Sequence, residues 1–189
     1  MKLSIDAKDA MKRIEMVFLN ESRECTFQED IPQLRFAGIQ IGPFKKGNRA
    51  NLPNWVIEKL LSYGYVNVVA KESSEKAYES LKSLQNLYYR EEQEPHKLEK
   101  FPPYLYTALN RKALRLQSDK TSMDPIRYDE VKKLKTMIPF LVETRLSKIM
   151  RVAKSGAYHT KKGDMTNEER WLCEELLELL SGWRQNVME

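Results

Sequence analysis

The sequence has few of the residues from which catalytic and metal sites are built. Its 189 residues include only two histidines and two cysteines. His96 follows Pro95 in a charged segment and His159 follows closely on Gly156, so neither histidine has a second ligand at helical spacing. No glycine-rich phosphate-binding loop follows a predicted strand. We therefore expect no catalytic residues, no metal and no cofactor, which favours an interaction protein over an enzyme.

Long apolar runs are also missing, and no segment has the pattern of a signal peptide. These absences predict a cytoplasmic protein without a membrane-spanning helix. Cys25 and Cys173 lie far apart, and a chain of this length folds without a disulfide, which is typical of a reducing compartment. The net charge is +5, from 32 basic and 27 acidic residues that are interspersed. This small excess does not by itself indicate a nucleic-acid-binding protein.

What the sequence does contain is a change of periodicity near residue 70. Before it, alternating apolar residues predict a small, mostly β domain over residues 1–70. After it, only helical periodicity is found, which predicts an all-α helical bundle over residues 71–189. The expected fold class is therefore α+β, with the small β-rich domain first and the larger helical-bundle domain second.

The first domain is predicted to contain short strands and few helices. Residues 1–20 fit either a helix or a strand, and we favour a short helix followed by a strand at Ile14–Leu19. Further extended segments are expected from Cys25 and at Leu34–Ile41. A helix at Asn54–Ser62 and a last strand at Tyr65–Val69 complete the domain.

The second domain is predicted to contain five helices joined by polar segments. The first helix is expected at Glu75–Glu94, with a cap at Ser73 or Ser74, and the second begins at Pro102. After a loop at Ser118–Asp124, the third is expected at Pro125–Ile138 and the fourth at Phe140–Lys154. The fifth runs from Thr166 or Asn167 to about Asn186. Pro139 removes a backbone donor, so a break or kink is expected near Met137. Gly156 should end the fourth helix, and residues 157–165 should form a loop. Thr166 and Glu169 have the spacing of a capping box.

The fourth helix carries a cation within its apolar arc. Arg145 lies among Leu141, Ile149 and other apolar positions, so it needs a carboxylate or carbonyl partner. We favour a structural ion pair over a contact with a partner chain. Lys148, Arg151 and Lys154 form a basic stripe on one flank, which is either a solvated face or a contact to a partner or DNA.

The last helix has an apolar arc that is wide for a surface helix, which suggests burial by its own domain and by another subunit. Trp171 lies on the opposite, acidic face, where it either covers its own fold or contacts a partner. The subunit-interface candidates are Trp171, Leu172, Leu176, Leu179, Leu180 and Trp183.

The segment of residues 39–55 predicts a strand, a tight turn, a polar loop and the start of a helix. Gly42 tolerates a positive φ, and Pro53 suits the first helical turn. Phe44 and Trp55 are expected in the core of the small domain. The loop between them exposes three candidate contacts to a partner or DNA, namely Lys45, Lys46 and Arg49.

Four short motifs resemble, in the same order, those of the GINS replication-complex family. They are Gly42-Pro43-Phe44-Lys45-Lys46-Gly47, Leu52-Pro53-Asn54-Trp55, Phe101-Pro102-Pro103-Tyr104 and Val142-Glu143-Thr144-Arg145-Leu146-Ser147-Lys148-Ile149. The last motif is the most distinctive, and the matched segments together span about residues 36–155. The first two are similar to a turn of the GINS subunit type that carries the small β domain first.

The resemblance implies a non-enzymatic scaffold subunit of an archaeal-type GINS complex. It implies a tetramer with two copies each of this chain and of a sister subunit that has the opposite domain order. Such a tetramer bridges and activates the MCM helicase, binds a RecJ-like protein and, in some lineages, contacts primase or DNA polymerase in a nucleoid-associated replisome. The alternative function is a nucleic-acid-binding module that uses the basic helix and loop residues named above.

Overall fold

The computed structural model of the chain describes residues 6–36, 38–70, 75–118 and 125–188. The chain divides into two compact units, one formed by Glu15–Glu75 (the β unit) and the other by Met1–Ile14 with Lys76–Glu189 (the helical unit). All strands among the described residues lie in the β unit. The expected α+β class, with a small β region before a larger helical bundle, is confirmed.

A three-stranded antiparallel sheet forms the centre of the β unit. The first helix, α1 (Ala7–Asn20), crosses the boundary between the units at Ile14, and the β unit then contains, in chain order, β1 (Ser22–Phe27), β2 (Leu34–Phe36), β3 (Ile39–Ile41), β4 (Arg49–Pro53), α2 (Asn54–Ser62) and β5 (Val66–Val68). β1 lies between β4 and β5, and β2 pairs with β3 as a separate hairpin. Cys25 and Phe27 alternate along β1 into a core that also contains Val56, Ile57 and Leu60 of α2.

The predicted strand at Ile14–Leu19 is wrong, because α1 continues through these residues to Asn20. Residues 7–20 contain no glycine or proline, so nothing in this segment stops a helix. Phe18 is buried, whereas the neighbouring Met16 and Val17 are exposed. The alternation of apolar residues therefore does not mark a strand face.

The turn after β3 brings Phe44 onto the core of the β unit. Gly42 has a φ of 89°, and a Cβ atom there would lie 3.2 Å from the Pro32 carbonyl oxygen, so glycine is required. The Phe44 ring stacks on Phe27 with centroids 4.1 Å apart, and Trp55 also packs against this core. Pro53 does not lie in the first turn of α2, because its ψ of 145° is extended and it ends β4.

Among the described residues, six helices lie wholly within the helical unit. They are α3 (Lys76–Glu79), α4 (Leu81–Gln93), α5 (Leu105–Ser118), α6 (Pro125–Ser155), α7 (Tyr158–Lys161) and α8 (Asn167–Met188). Leu98, Ile149, Ala153, Met165 and Cys173 form one buried cluster between α6, α8 and the segment before α5. The caps expected at Ser73 or Ser74 and the loop at residues 119–124 lie outside the described residues.

Three predicted boundaries in the helical unit are wrong. The helix expected at Glu75–Glu94 is interrupted at Ser80, whose hydroxyl accepts a bond from the Ser83 amide and so caps α4. The division into two helices at Pro139 is wrong, because α6 runs through this residue as one helix with buried Leu134 and Leu141 on either side, whereas a kink at Pro139 stays a prediction. Residues 157–165 contain α7 and a 3₁₀ turn rather than a simple loop.

Candidate subunit interface

Arg145 lies at the centre of a buried ionic cluster in the helical unit. Its side chain has no solvent exposure, and it forms a two-pronged pair with Glu169, with Nη2 2.7 Å from Oε2 and Nε 2.8 Å from Oε1. Its Nη1 lies 2.8 Å from the Glu99 carbonyl oxygen and 3.3 Å from Oε2 of Glu91. Nη2 also donates to the Asp164 carbonyl at 3.0 Å. These acceptors replace the water that the guanidinium loses.

Lys148 completes the cluster, which we define as Arg145, Lys148, Glu91 and Glu169. Its Nζ lies 2.6 Å from Oε1 of Glu91 and 2.8 Å from the Glu91 carbonyl oxygen. Two cations therefore face two carboxylates, so the interior carries no net charge from these four groups. The basic stripe expected on this flank of α6 is wrong at Lys148, because the side chain is buried on Glu91.

The surroundings of the cluster favour the charged form of Arg145. The centroid of the Phe101 ring lies 3.9 Å from the Arg145 guanidinium carbon, and the Tyr106 hydroxyl donates to Glu169 at 2.7 Å. Desolvation is the largest single influence and lowers the pKa of Arg145. The contacts to Glu169 and Glu91 raise this pKa and together outweigh desolvation, so the net shift is upward. Burial, followed by the Glu169 charge, raises the pKa of Tyr106 well above its ordinary value. Arg145 and Tyr106 therefore both keep their protons near neutral pH.

The first turn of α8 fixes the position of Glu169. The Glu169 amide donates to the Thr166 hydroxyl at 3.1 Å, and the Thr166 amide donates to the Glu169 carboxylate at 3.0 Å, which is the capping box that the sequence predicts. The neighbouring Glu168 accepts from the amide and hydroxyl of Thr107, so it caps the first turn of α5. The cluster and the two caps thus join α4, α5, α6 and α8 into one body.

The second half of α8 leaves an apolar stripe uncovered. Leu176, Leu177 and Leu180 pack against the core of their own unit. Leu179, Trp183 and Val187 follow one another at one-turn spacing, and their exposed fractions are 69%, 61% and 61%. We call these three residues the α8 stripe.

The helical region matches the family model Sld5, described as the GINS complex protein helical bundle domain, over residues 78–188. This match includes every member of the ionic cluster and the whole α8 stripe. The chain belongs to the GINS family. Members of this family are non-catalytic subunits of a DNA-replication complex, and they assemble with other GINS subunits. A comparison with curated proteins finds no match for the chain.

The structure separates the interface candidates of this GINS chain into two groups. Trp171 and Leu172 are half-buried, and Leu176 and Leu180 contribute to the fold of their own unit. Leu179 and Trp183 remain largely exposed. Two further exposed residues, Val187 and Met188, were missed because the helix was predicted to end at Asn186. The one-turn spacing from Trp183 to Val187 was the signal that could have found them.

The basic candidates belong to both units, and each group has its own surroundings. Arg151 is bound to the Pro95 carbonyl at 3.1 Å and to His96 at 2.9 Å, while Lys154 is exposed. Lys45, Lys46 and Arg49 are exposed in the β unit, and Arg49 lies 3.6 Å from the Glu24 carboxylate.

The tight turn that carries two of these lysines has no free backbone donors for an anion. The Lys45 amide donates to the Asn48 side chain at 2.6 Å, and the Lys46 amide donates to Asp30 at 2.7 Å. Among the described residues, no group of three potential His, Cys, Asp or Glu ligands surrounds a metal position, and no helix is long and apolar enough to span a membrane.

Proposed function

We propose that this chain is the small-domain-first scaffold subunit of an archaeal-type GINS complex. In this proposal two copies of the chain assemble with two copies of a sister subunit that has the opposite domain order. The tetramer holds the MCM helicase in its active form and joins it to a RecJ-like protein, with primase or DNA polymerase as further partners. The tetramer contributes by positioning its partners and not by catalysing a reaction.

The α8 stripe carries this proposal. Fully covering a leucine or valine side chain stabilises a complex by roughly 1.5–3 kcal/mol, and tryptophan is enriched among the residues that dominate interfaces. In the single chain this stabilisation is not realised, because the side chains of the α8 stripe remain exposed. The stripe also continues directly from Leu176 and Leu180, which already pack on the core. A partner helix laid along it would extend the same packed layer.

The tetramer can bridge its partners because it presents several weak contact surfaces on one rigid body. When two contacts are linked, the second forms at an effective concentration in the millimolar range for short connections, so the linked affinity rises without any new contact. The ionic cluster supports such a role because it locks four helices together, so that surfaces on the helical unit keep their spacing. A flexible subunit would lose most of this gain.

The experiment is helicase activation by the assembled complex. The chain and its sister subunit are co-expressed, and DNA unwinding by the MCM ring is measured with and without the complex. Trp183→Arg should abolish assembly and with it the stimulation of unwinding, because a charge cannot be covered in an apolar interface. Gln185→Arg adds the same charge to an exposed position in the same turn, on the opposite side of α8, and should leave both unchanged.

Two outcomes would contradict the proposal. Full stimulation by the Trp183→Arg chain would remove the stripe from the mechanism, and assembly without any effect on unwinding would refute the bridging role. Salt-dependent binding of forked DNA by the lone chain, lost on changing Lys45, Lys46 and Arg49 to serine, would favour a nucleic-acid-binding module instead.

A further inference from the structure

A cleft of about 340 Å³ lies between α4 and α6, apart from the α8 stripe. The α4 side is contributed by Tyr88 and Tyr89, and the α6 side by Lys132, Lys133 and Met137. α4 forms this wall because it buries Leu84, Leu87 and Glu91 on its other face. The cleft is therefore a feature of the helix pair and not a gap in the core.

Aromatic rings form one wall of the cleft. Tyr88 packs against Phe140 with centroids 4.7 Å apart and against Tyr89 at 5.6 Å. Tyr89 remains 56% exposed and Phe140 40% exposed. Rings held in this way offer apolar area at a low entropic cost, which is typical of residues that anchor a partner.

The charges in the cleft are unequal. Lys133 forms an ion pair with Asp129 one turn earlier, with Nζ 2.5 Å from Oδ2, so this pair contributes no net charge. Lys132 has no carboxylate partner within the described part of the chain and is exposed at the same wall. One positive charge thus stands beside an apolar aromatic surface.

We propose that this cleft binds a short acidic segment of a partner protein. An apolar side chain of the segment enters between the tyrosines and Met137, and a flanking carboxylate pairs with Lys132. A basic segment would be repelled by Lys132. A nucleic acid strand is disfavoured because binding along a strand depends on neutralising several phosphates, and among its described residues the cleft offers a single unpaired cation, Lys132.

This inference goes beyond the assembly proposed above, because no residue of the α8 stripe lines the cleft. It predicts that an acidic partner segment and the sister subunit bind the chain at the same time. The surface would give the complex a docking point for a third protein.

The test uses a defined peptide and the full chain, in whichever assembly state it adopts. The mass of the sample is measured first, so a failure of assembly is recorded separately. Fluorescein-labelled Glu-Asp-Phe-Leu-Glu-Asp is then titrated and its anisotropy followed. Two control peptides replace the acids by Gln and Asn, or Phe-Leu by Gly-Ser. Oligothymidylate is titrated in parallel.

We expect saturable binding of the acidic peptide and at least about tenfold weaker binding of both control peptides, as expected for losing an interface anchor. Lys132→Glu and Tyr89→Ala should weaken the acidic peptide to a similar extent. The matched controls are Lys135→Glu on the same helix and Tyr63→Ala in the β unit. Both variants should bind the acidic peptide as tightly as the unaltered chain does.

The inference is overturned if the acidic peptide does not bind, or if Lys132→Glu leaves its binding unchanged. Equal binding of the neutral peptide would show an apolar surface without charge selection, which also contradicts it. Binding of oligothymidylate that is lost with Lys132→Glu would assign the cleft to a nucleic acid instead.

Discussion

Arg145 shows how a charged side chain is kept inside a helical bundle. It donates hydrogen bonds to five oxygen atoms, which belong to Glu169, Glu91, Glu99 and Asp164. Taking a guanidinium out of water is costly, and the cost is offset only when its donors find acceptors of good geometry. We therefore expect a residue in this position to act through the fold.

At the residue scale, Arg145→Ala should lower the free energy of unfolding by about 3–5 kcal/mol, because Glu169 and Glu91 would be left buried without their main cation. Urea unfolding followed by circular dichroism measures the change. Lys133→Ala, which removes an exposed ion pair on the same helix, should change the stability by no more than about 1 kcal/mol. If the two variants unfolded at the same urea concentration, the structural role of the cluster would be refuted.

The sequence identified Arg145 but could not identify its partners. Arg145 interrupts an apolar arc, which is visible in the sequence, whereas Glu91 and Glu169 are 54 and 24 residues away. With 27 acidic residues in the chain, spacing alone does not select two of them. Glu91 could have been suspected because it continues the buried face of Leu84 and Leu87 at helical spacing. Lys148 was misread for the same reason, since its partner was not known.

At the element scale, the start of α8 is determined locally. Thr166 and Glu169 bond to each other's backbone amides, and the same Glu169 carboxylate holds Arg145. The cap and the ionic cluster therefore share a group, so disturbance of one is transmitted to the other. The cap joins residues only three positions apart, so the sequence predicts it, whereas the contact between Glu169 and Arg145 joins residues 24 positions apart and has no sequence pattern.

Thr166→Ala should destabilise the chain by about 1–2 kcal/mol, since it removes the acceptor for the Glu169 amide at a buried helix start. Thr136→Ala in the exposed part of α6 is the control and should cost no more than about 0.5 kcal/mol. Thermal unfolding of the two variants and of the unaltered chain provides the measurement. Equal melting temperatures for all three would show that the cap contributes nothing.

Two helices show where local reading fails at this scale. In α1 an alternating pattern coincided with a helix, because residues 7–20 have no helix-breaking residue and the sheet lies elsewhere. In α6 a break or a kink was expected at Pro139, and the helix continues without a break, because the packing of Leu134 and Leu141 offsets the backbone bond that the proline removes. Tertiary packing therefore decides the outcome in α6, whereas the local sequence decides it in α1.

At the scale of the whole molecule, the order of a small β region and a larger helical bundle was predictable from the change of period near residue 70. Which residues of the apolar arc of α8 stay exposed was not predictable, because it depends on where the neighbouring helices end. The Arg184 side chain reaches the Lys154 carbonyl at 3.1 Å, which places the end of α6 beside the last two turns of α8. The α8 stripe is uncovered in this region, and the wide apolar arc of the last helix was the sign of it in the sequence.

The central claim is that the α8 stripe is covered by a sister GINS subunit. Its most direct test is the native mass of the full chain after co-expression with that subunit. The account predicts one species whose mass equals two copies of each chain, together with protection of Trp183 from quenching by acrylamide. A stable monomer with a solvent-accessible Trp183, unaffected by the sister subunit at micromolar concentration, would contradict it.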